Sequence, residues 1–358
     1  LFIMTTALMY WGISAITDIQ EKFKDYSGFM VFLSYVGDPR FAFTIYFPVA
    51  YSLHRSVGVR VLLAAVISEW LNAVLKWLLH GERPYWWVHQ AGLYPQGAVP
   101  YVRQFNITCE TGPGSPSGHA MITSSVWYIL VSDFLYYKQV QSVFIKVLCW
   151  ALFLLLMCAV SLSRLFIAAH FPHQVFAGIL TGVILGQALN SVSTSALKSS
   201  HYIAVSAGLS CLAWAIYTLI QAVGMDPMWS VTLAIKWCAY KEWIHLDTTL
   251  FYSLVRDVSS LTGLGVGVWL LSGKHVEKCS TPHHPASLVI QVVFALAVSL
   301  SAENYKPAHD NLLLFLSISF LKHCLTVIVI LAGISLLFDK AQSQTLSKKN
   351  SPSTGSKS

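Results

Sequence analysis

The sequence Gly112-Pro-Gly-Ser-Pro-Ser-Gly-His119 leads into an apolar run at 118–137. Ser115 is predicted as the N-cap of a helix and Pro116 as its first residue, positions that these residue types favour. The backbone N–H groups of residues 117–119 would then point outward at the positive end of the helix dipole. Pro/Gly/Ser clusters often form plain loops, but a histidine in the first turn favours an anion-binding helix start.

The composition places this helix start in a membrane protein. Of the 358 residues, 55% are hydrophobic and 11% are charged, whereas soluble proteins carry about 25% charged residues. A bilayer core needs about 20 apolar residues per helix, and about nine such runs are present: 29–53, 58–80, 118–137, 143–163, 173–193, 202–224, 254–272, 286–302 and 313–337. The sequence therefore predicts an all-α, polytopic membrane helical bundle of about nine transmembrane helices.

This bundle is predicted as one domain, residues 1–338, with a polar cytoplasmic tail at 339–358. Gly37-Asp-Pro-Arg40 interrupts the first run. The apolar stretch at 1–16 lacks a basic segment and a cleavage site, so it is not predicted as a signal peptide. It is either an interfacial helix or part of the first span. Basic residues are spread thinly, so no nucleic-acid partner is expected.

Nine spans put the two termini on opposite sides of the bilayer. A weak bias of Lys and Arg places the tail in the cytoplasm. The sequon Asn106-Ile-Thr108 lies in the loop at 81–117 and predicts glycosylation of Asn106 in a lumen. Of seven cysteines, Cys109 and Cys238 lie in polar loops on that side. A disulfide between them is possible, although the odd total gives no support for it.

Charged residues cluster at the mouths of the predicted spans. Lys76 and Arg83 close the second span and could share one helix face, with Arg83 at the exit because Pro84 follows it. Taken alone, they could be two cations that snorkel to the interface. Ser163-Arg164 ends the fourth span and His170 follows. His173 is predicted to be a plain interfacial residue.

These span ends necessarily share one side of the membrane, because each helix reverses the direction of the chain. Three cations (Lys76, Arg83 and Arg164), a helix N-terminus and two histidines therefore gather on the face that carries Asn106. Ionisable residues at membrane depth are costly and usually functional. The pattern predicts a phosphate-binding pocket.

The three motifs Lys-x6-Arg-Pro, Pro-Ser-Gly-His and Ser-Arg-x5-His resemble the signature of the type-2 phosphatidic acid phosphatase/vanadium haloperoxidase superfamily. More closely, the chain is similar to the glucose-6-phosphatase catalytic subunits. The matching stretches lie at 37–40, 69–72, 83–87, 109–119, 169–174 and 243–249. Ser68-Glu69 and Met121-Ile-Thr123 favour the ubiquitously expressed isoform over the liver one.

The resemblance implies an endoplasmic reticulum glycoprotein whose luminal active site hydrolyses glucose 6-phosphate, as in gluconeogenesis. His170 would be the nucleophile that forms a phosphohistidine, and His119 would be the proton donor and general acid-base. The residues implied to bind phosphate are Lys76, Arg83, Ser117, Gly118 and Arg164. No cofactor and no metal are implied. A glucose-6-phosphate transporter is a possible partner, and the lipid bilayer is the other.

Gln174 departs from the wider superfamily, which places Asp at this position to orient the nucleophilic histidine. The amide could still accept the imidazole N–H, or Asp38 could supply a carboxylate. Asp38 and Glu110 are also candidates for binding the sugar. Trp86 and Trp87 could stack on the sugar, but an interfacial aromatic belt explains them better.

Two other functions remain open from the sequence. A lipid phosphate phosphatase would use the same chemistry, but Gln174 and the nine predicted spans disfavour it. A phosphate-ester transporter or binding protein should show repeated halves, and no internal repeat is found. Haloperoxidase activity is the most distant alternative, because those proteins are soluble.

Overall fold

The computed structural model describes residues 2–95, 98–244, 248–271, 285–307 and 311–338. These residues form helices and loops without a β-strand, which confirms the all-α prediction. Most of the predicted connection at 273–285 and the predicted tail at 339–358 lie outside the described residues. The described α-helices are α1 Phe2–Lys22, α2 Ser27–Val36, α3 Phe47–Leu53, α4 Arg55–Leu79, α5 Pro84–Gln90, α6 Gly118–Tyr137, α7 Val143–Phe166, α8 Pro172–Asn190, α9 Ser199–Ala222, α10 Trp229–Trp237, α11 Leu250–Leu270, α12 Pro285–Asn304 and α13 Leu312–Gly333.

Where the structure describes them, the nine apolar runs are mostly helical, and the first is divided between several helical segments. Within the described residues, five helical segments are long and apolar enough to cross a membrane: Arg55–Gln90, Val143–Phe166, Ser199–Ala222, Pro285–Asn304 and Leu312–Leu336. Most of the apolar stretch in each of the last four is not buried inside the protein, as expected for helices that face lipid. The count of nine spans stays a prediction.

The first apolar run is broken where the sequence predicted it. Helix α2 ends at Val36, and Asp38 lies in the gap before a π-helical turn, Ala42–Tyr46, which leads into α3. The N-terminal apolar stretch belongs to a separate helix, α1, and a short turn at Lys24–Tyr26 divides it from α2. It therefore does not continue as one helix into the first predicted span.

Helices α6 and α8 pack closely because α8 carries a glycine at every fourth position. A Cβ on Gly178 would lie 2.6 Å from the carbonyl oxygen of Ser117, and one on Gly186 would lie 2.9 Å from that of Ser125. Small residues at this spacing let two helix backbones approach each other. The start of α6 is thereby held beside the start of α8.

The start of α6 differs from the prediction. Ser117, not Ser115, is the N-cap, and its Oγ accepts a hydrogen bond from the backbone N–H of Ala120 at 3.5 Å. The backbone N–H of Ser117 does not point outward, because it donates to the carbonyl of Gln174 at 3.0 Å. The backbone N–H groups at the start of α6 that can point outward therefore begin with that of Gly118.

The end of α4 also differs. The helix stops at Leu79, where His80 takes a left-handed conformation with φ of 46°. Arg83 is extended, and Pro84 opens α5. Lys76 and Arg83 therefore do not share a helix face. The turn between them directs Arg83 into the protein interior, where it is fully buried.

Candidate active site

The end of α4, the start of α6, the end of α7 and the α7–α8 connection meet at one end of the bundle. They carry Lys76, His119, Arg164 and His170 respectively. All four side chains have little or no exposure to solvent. The fold therefore brings the residues that the sequence predicted for phosphate chemistry into one place.

Glu110 lies between two of the predicted phosphate ligands. One carboxylate oxygen is 2.9 Å from Arg83 Nη2, and the other pairs with Arg164. Burial raises the pKa of Glu110, but the charges of Arg164 and Arg83 outweigh this effect and hold it well below its usual value. Glu110 is therefore ionised and fixes both guanidinium groups, a role that the sequence analysis did not assign to it.

Arg83 is anchored by backbone carbonyls as well as by Glu110. Its Nε donates to Gly112 at 2.7 Å, and its terminal nitrogens donate to Ala169 at 3.1 Å and Pro113 at 3.2 Å. The Arg guanidinium has five donors in a rigid fork, and these contacts use four of them. Arg83 thus ties the 112–113 segment to the start of the His170 connection and places a fixed positive charge there.

His170 is oriented by a backbone carbonyl. Its Nδ1 lies 2.8 Å from the carbonyl oxygen of Gly114, so Nδ1 carries the proton and Nε2 is left with its lone pair. Nε2 is buried and has no hydrogen-bond partner among the described residues. Burial lowers the pKa of His170 well below its usual value, and Arg83 and Arg164 lower it further. The ring is neutral, as a nucleophile requires.

Gln174 does not orient the His170 ring, so that suggestion is wrong. Its side-chain oxygen accepts the N–H of Phe171 at 3.1 Å, and its side-chain nitrogen donates to the carbonyl of Glu82 at 2.6 Å. Gln174 instead holds the backbone on both sides of the site. Nothing in the sequence pattern pointed to Gly114 as the partner of the ring, because a carbonyl acceptor carries no residue signature.

His119 faces the same charges from the opposite side. Its Nε2 lies 3.3 Å from Arg164 Nη1, and its Nδ1 lies 3.7 Å from a carboxylate oxygen of Glu110. The His119 side chain keeps 13% exposure, whereas His170 is fully buried. Arg164 also donates to the hydroxyl of Ser34 at 2.8 Å, which fixes its second terminal nitrogen.

Lys76 reaches across the start of α6. Its Nζ lies 3.8 Å from the positions that a Cβ on Gly112 or on Gly118 would occupy. Within the described residues Lys76 forms no hydrogen bond and no ion pair. The first-turn N–H groups of Gly118 and His119 have no partner within their own helix. An ammonium group and a helix N-terminus therefore face the same space, which suits an anion.

A cavity opens in front of these groups. Its walls at the site end include Lys76, Gly118, His119, Arg164 and Glu110. Its other walls include Asp38, Arg40, Glu69, Asn72 and Arg256. The structure thus places Asp38 at the cavity but pairs its carboxylate with Arg40, with contacts of 2.6–3.1 Å. Trp86 and Trp87 are buried under α1 and α10 and do not line it.

Glu69 and Arg256 form a buried ion pair that joins α4 to α11 and was not predicted from the sequence. Charged residues inside long apolar helices are the signal that could have found it. Cys109 and Cys238, whose pairing could not be decided from the sequence, form a disulfide with a Cα–Cα distance of 5.8 Å. This bond ties the segment directly before Glu110 to the end of α10.

Loss of this disulfide should destabilise the loop that carries Glu110. We expect Cys238→Ser to lower the free energy of unfolding by about 2–5 kcal/mol, measured as earlier heat inactivation in detergent. The control is Cys211→Ser, which removes an exposed free cysteine and should change nothing. The expectation fails if reductant leaves wild-type heat inactivation unchanged while Cys109 and Cys238 become free thiols.

Comparison with known proteins finds relatives of this chain. The sequence model described as the PAP2 superfamily matches residues 57–197, which carry all three motifs. Glucose-6-phosphatase 2 of Mus musculus is 42% identical over 72% of this chain and 75% of its own length. Glucose-6-phosphatase catalytic subunit 1 of Canis lupus familiaris is 38% identical over 91% of this chain and 93% of its own length. Glucose-6-phosphatase 3 of Bos taurus is 37% identical over 90% of this chain and 92% of its own length.

Residues 57–197, with the three motifs, form a domain of the PAP2 superfamily. Within that superfamily, the chain belongs to the glucose-6-phosphatase family. The identities to relatives of the three numbered forms lie between 36% and 42% and do not single out one form. No solved structure matches the chain.

Proposed function

We propose that this chain hydrolyses glucose 6-phosphate to glucose and inorganic phosphate through a phosphohistidine intermediate. The single observation that carries the proposal is His170, whose neutral ring presents a buried, unpartnered Nε2 beside Arg83 and Arg164. Phosphoryl transfer requires little covalent chemistry from the protein beyond positioning and charge stabilisation. These residues supply both.

In the first step, Nε2 of His170 attacks phosphorus and forms the P–N bond while the bond from phosphorus to the sugar oxygen breaks. His119 gives its proton to that oxygen, and glucose leaves. A bound phosphate dianion beside His119 would supply the negative charge that stabilises its protonated form for this step.

In the second step, a water molecule attacks the phosphohistidine and the P–N bond breaks. His119 accepts the proton of the water, which restores its starting state. Arg164, Lys76 and the N–H groups of Gly118 and His119 stabilise the charge on the equatorial oxygens in both steps. Arg83, with most of its donors engaged, adds its positive charge, and Ser117 shapes the helix start.

The proposed setting is the endoplasmic reticulum membrane, with nine spans, a luminal site and a cytoplasmic tail, where the enzyme contributes to glucose production. Two observations support this sidedness. Asn106 is exposed on the loop that also carries Glu110, and the Cys109–Cys238 disulfide on that loop is typical of an oxidising compartment. A luminal site would require delivery of substrate across the membrane, so a glucose-6-phosphate transporter is a proposed partner.

A substrate panel on sealed and detergent-opened microsomes tests both the activity and the sidedness. We expect phosphate release from glucose 6-phosphate, low release from phosphatidic acid, and a rise in release when vesicles without a transporter are opened. Wild type should lose mass on glycosidase treatment, whereas Asn106→Gln should not. Turnover of phosphatidic acid alone would identify a lipid phosphatase instead, and full activity in sealed vesicles would contradict the luminal site.

A further inference from the structure

The cavity continues well past the groups that contact phosphate. One face of α4 lines it at Glu69, Asn72, Ala73 and Lys76, which are spaced three, four and seven residues apart. This is the spacing of a single helix stripe. At a rise of 1.5 Å per residue, Glu69 lies about 10 Å along the helix from Lys76. The stripe therefore leads from the phosphate end of the cavity into the interior of the bundle.

A buried ion pair lies at the inner end of this stripe. Arg256 of α11 donates to Glu69 through two nitrogens, Nη2 to one oxygen and Nε to the other at 3.1 Å. The side chains of Arg256 and Glu69 are only 5% and 7% exposed, and both line the cavity. A two-point contact of this kind fixes the direction of both groups. Such a pair inside apolar helices is costly to bury, which favours a role in function.

Asn72 lies between this pair and the phosphate end. Its Nδ2 donates to the carbonyl of Pro116 at 3.0 Å, so the orientation of the amide is fixed. Its Oδ1 then lies beside the start of α6, 3.0 Å from where a Cβ on Gly118 would stand. Asn72 therefore presents a fixed acceptor next to the place where the phosphate group of the ester would bind.

The two ends of the cavity differ in charge. At the phosphate end, Lys76, Arg83 and Arg164 face one carboxylate, that of Glu110, and leave a positive excess. Further along, Glu69 pairs with Arg256, and the buried side chain of Asp257 lies against Glu69. Asp38, beside His119, pairs with Arg40. A surface dense in fixed donors and acceptors suits a polyhydroxyl group. It does not suit an acyl chain, which would leave these groups without partners.

We propose that Glu69, Arg256 and Asn72 form the subsite for the sugar and determine the specificity of the enzyme for a hexose phosphate. This proposal rests on the proposed function and deepens it. The phosphate would be held at Lys76 and the start of α6, while ring hydroxyls would bond to Glu69 and Arg256. The subsite explains why a phosphatase of this superfamily would prefer a sugar to a lipid.

The test compares two esters in Glu69→Gln, which removes a charge without changing the size of the side chain. We expect kcat/KM for glucose 6-phosphate to fall by about 10–100-fold, since a site built to bind hydroxyl groups loses one partner. For phenyl phosphate, which has no hydroxyl groups on its ring, kcat/KM should change by less than about threefold. Inhibition by inorganic phosphate should also stay unchanged, because the phosphate end is intact.

The matched control is Asp133→Asn, which breaks the ion pair of Asp133 with Arg60 of α4 at 2.8 Å. That pair also joins two helices, but it does not line the cavity. The ratio of the two kcat/KM values should remain that of wild type. The proposed subsite is wrong if Glu69→Gln changes kcat/KM for both esters by the same factor, so that the ratio of the two values stays that of wild type.

Two conservative variants keep the test decisive if Glu69→Gln does not fold. Glu69→Asp and Arg256→Lys retain both charges but shift the position of the pair, and each should change the ratio by about 3–10-fold. A wild-type ratio in both would refute the subsite. Failure of the proposed function is recognised separately, because wild type would then hydrolyse phenyl phosphate but not glucose 6-phosphate.

Discussion

Replacement of His170 by alanine is expected to abolish hydrolysis of glucose 6-phosphate, with a fall in kcat of about 10⁴–10⁶-fold. The variant loses the only ring nitrogen in the described residues that combines burial, a fixed proton on its other nitrogen and adjacent arginine charges. Neither arginine can replace it, because a guanidinium has no lone pair available at neutral pH. The measurement is phosphate release together with trapping of labelled enzyme in an alkaline detergent quench, because the P–N bond of a phosphohistidine is stable in alkali and breaks in acid.

His173→Ala is the matched control for this prediction. His173 lies three residues away and stacks on Phe171 with ring centroids 5.7 Å apart, so it shares the local fold without facing the arginines. We expect it to retain turnover and to trap phosphate on His170. Turnover above one tenth of wild type in His170→Ala, or label that persists in it, would remove His170 from the mechanism.

His119→Ala should distinguish protonation of the leaving group, which needs His119, from the attack on phosphorus, which needs His170. Loss of a general acid lowers turnover of glucose 6-phosphate by about 10²–10⁴-fold, because the departing sugar alkoxide needs a proton. With 4-nitrophenyl phosphate the leaving group needs no proton, so the first step should stay fast. The second step lacks the base that activates water. We therefore expect a burst of nitrophenolate equal to the amount of enzyme, followed by slow turnover.

The internal comparison of the two esters serves as the control, since it uses one protein preparation. Trapped phosphohistidine should accumulate to a higher level in His119→Ala with the nitrophenyl ester than in wild type, because only its breakdown is slowed. An equal loss of rate for both esters, without a burst, would show that His119 contributes to binding or folding and not to proton transfer.

Much of the fold and the site could be predicted from sequence because the signals are local. Apolar runs indicate helices wherever they occur, and the alternation of sides requires the ends of consecutive helices to meet. The length of each run and the direction of the chain, without any measured distance, are therefore enough to predict that four residues meet at one end of the bundle: Lys76, His119, Arg164 and His170.

Helix ends and side-chain partners were predicted less well. The N-cap of α6 is Ser117 and not the predicted Ser115, because the backbone N–H of Ser117 donates to the carbonyl of Gln174 across the α6–α8 contact. The end of α4 moved to Leu79, which removed the predicted shared face of Lys76 and Arg83. Both changes come from contacts between segments far apart in sequence, which a local pattern cannot contain.

The sequence alone therefore determined the helical class, the three motifs and the face of the bundle on which they meet, since these follow from hydrophobicity and the alternation of sides. Only the tertiary structure decided which atom each side chain contacts. In the structure, Glu110 pairs with both Arg83 and Arg164, the His170 ring donates to the carbonyl of Gly114, and Glu69 pairs with Arg256. The reason is physical: a hydrogen bond depends on positions to within a fraction of an ångström, and only packing of distant helices fixes those positions.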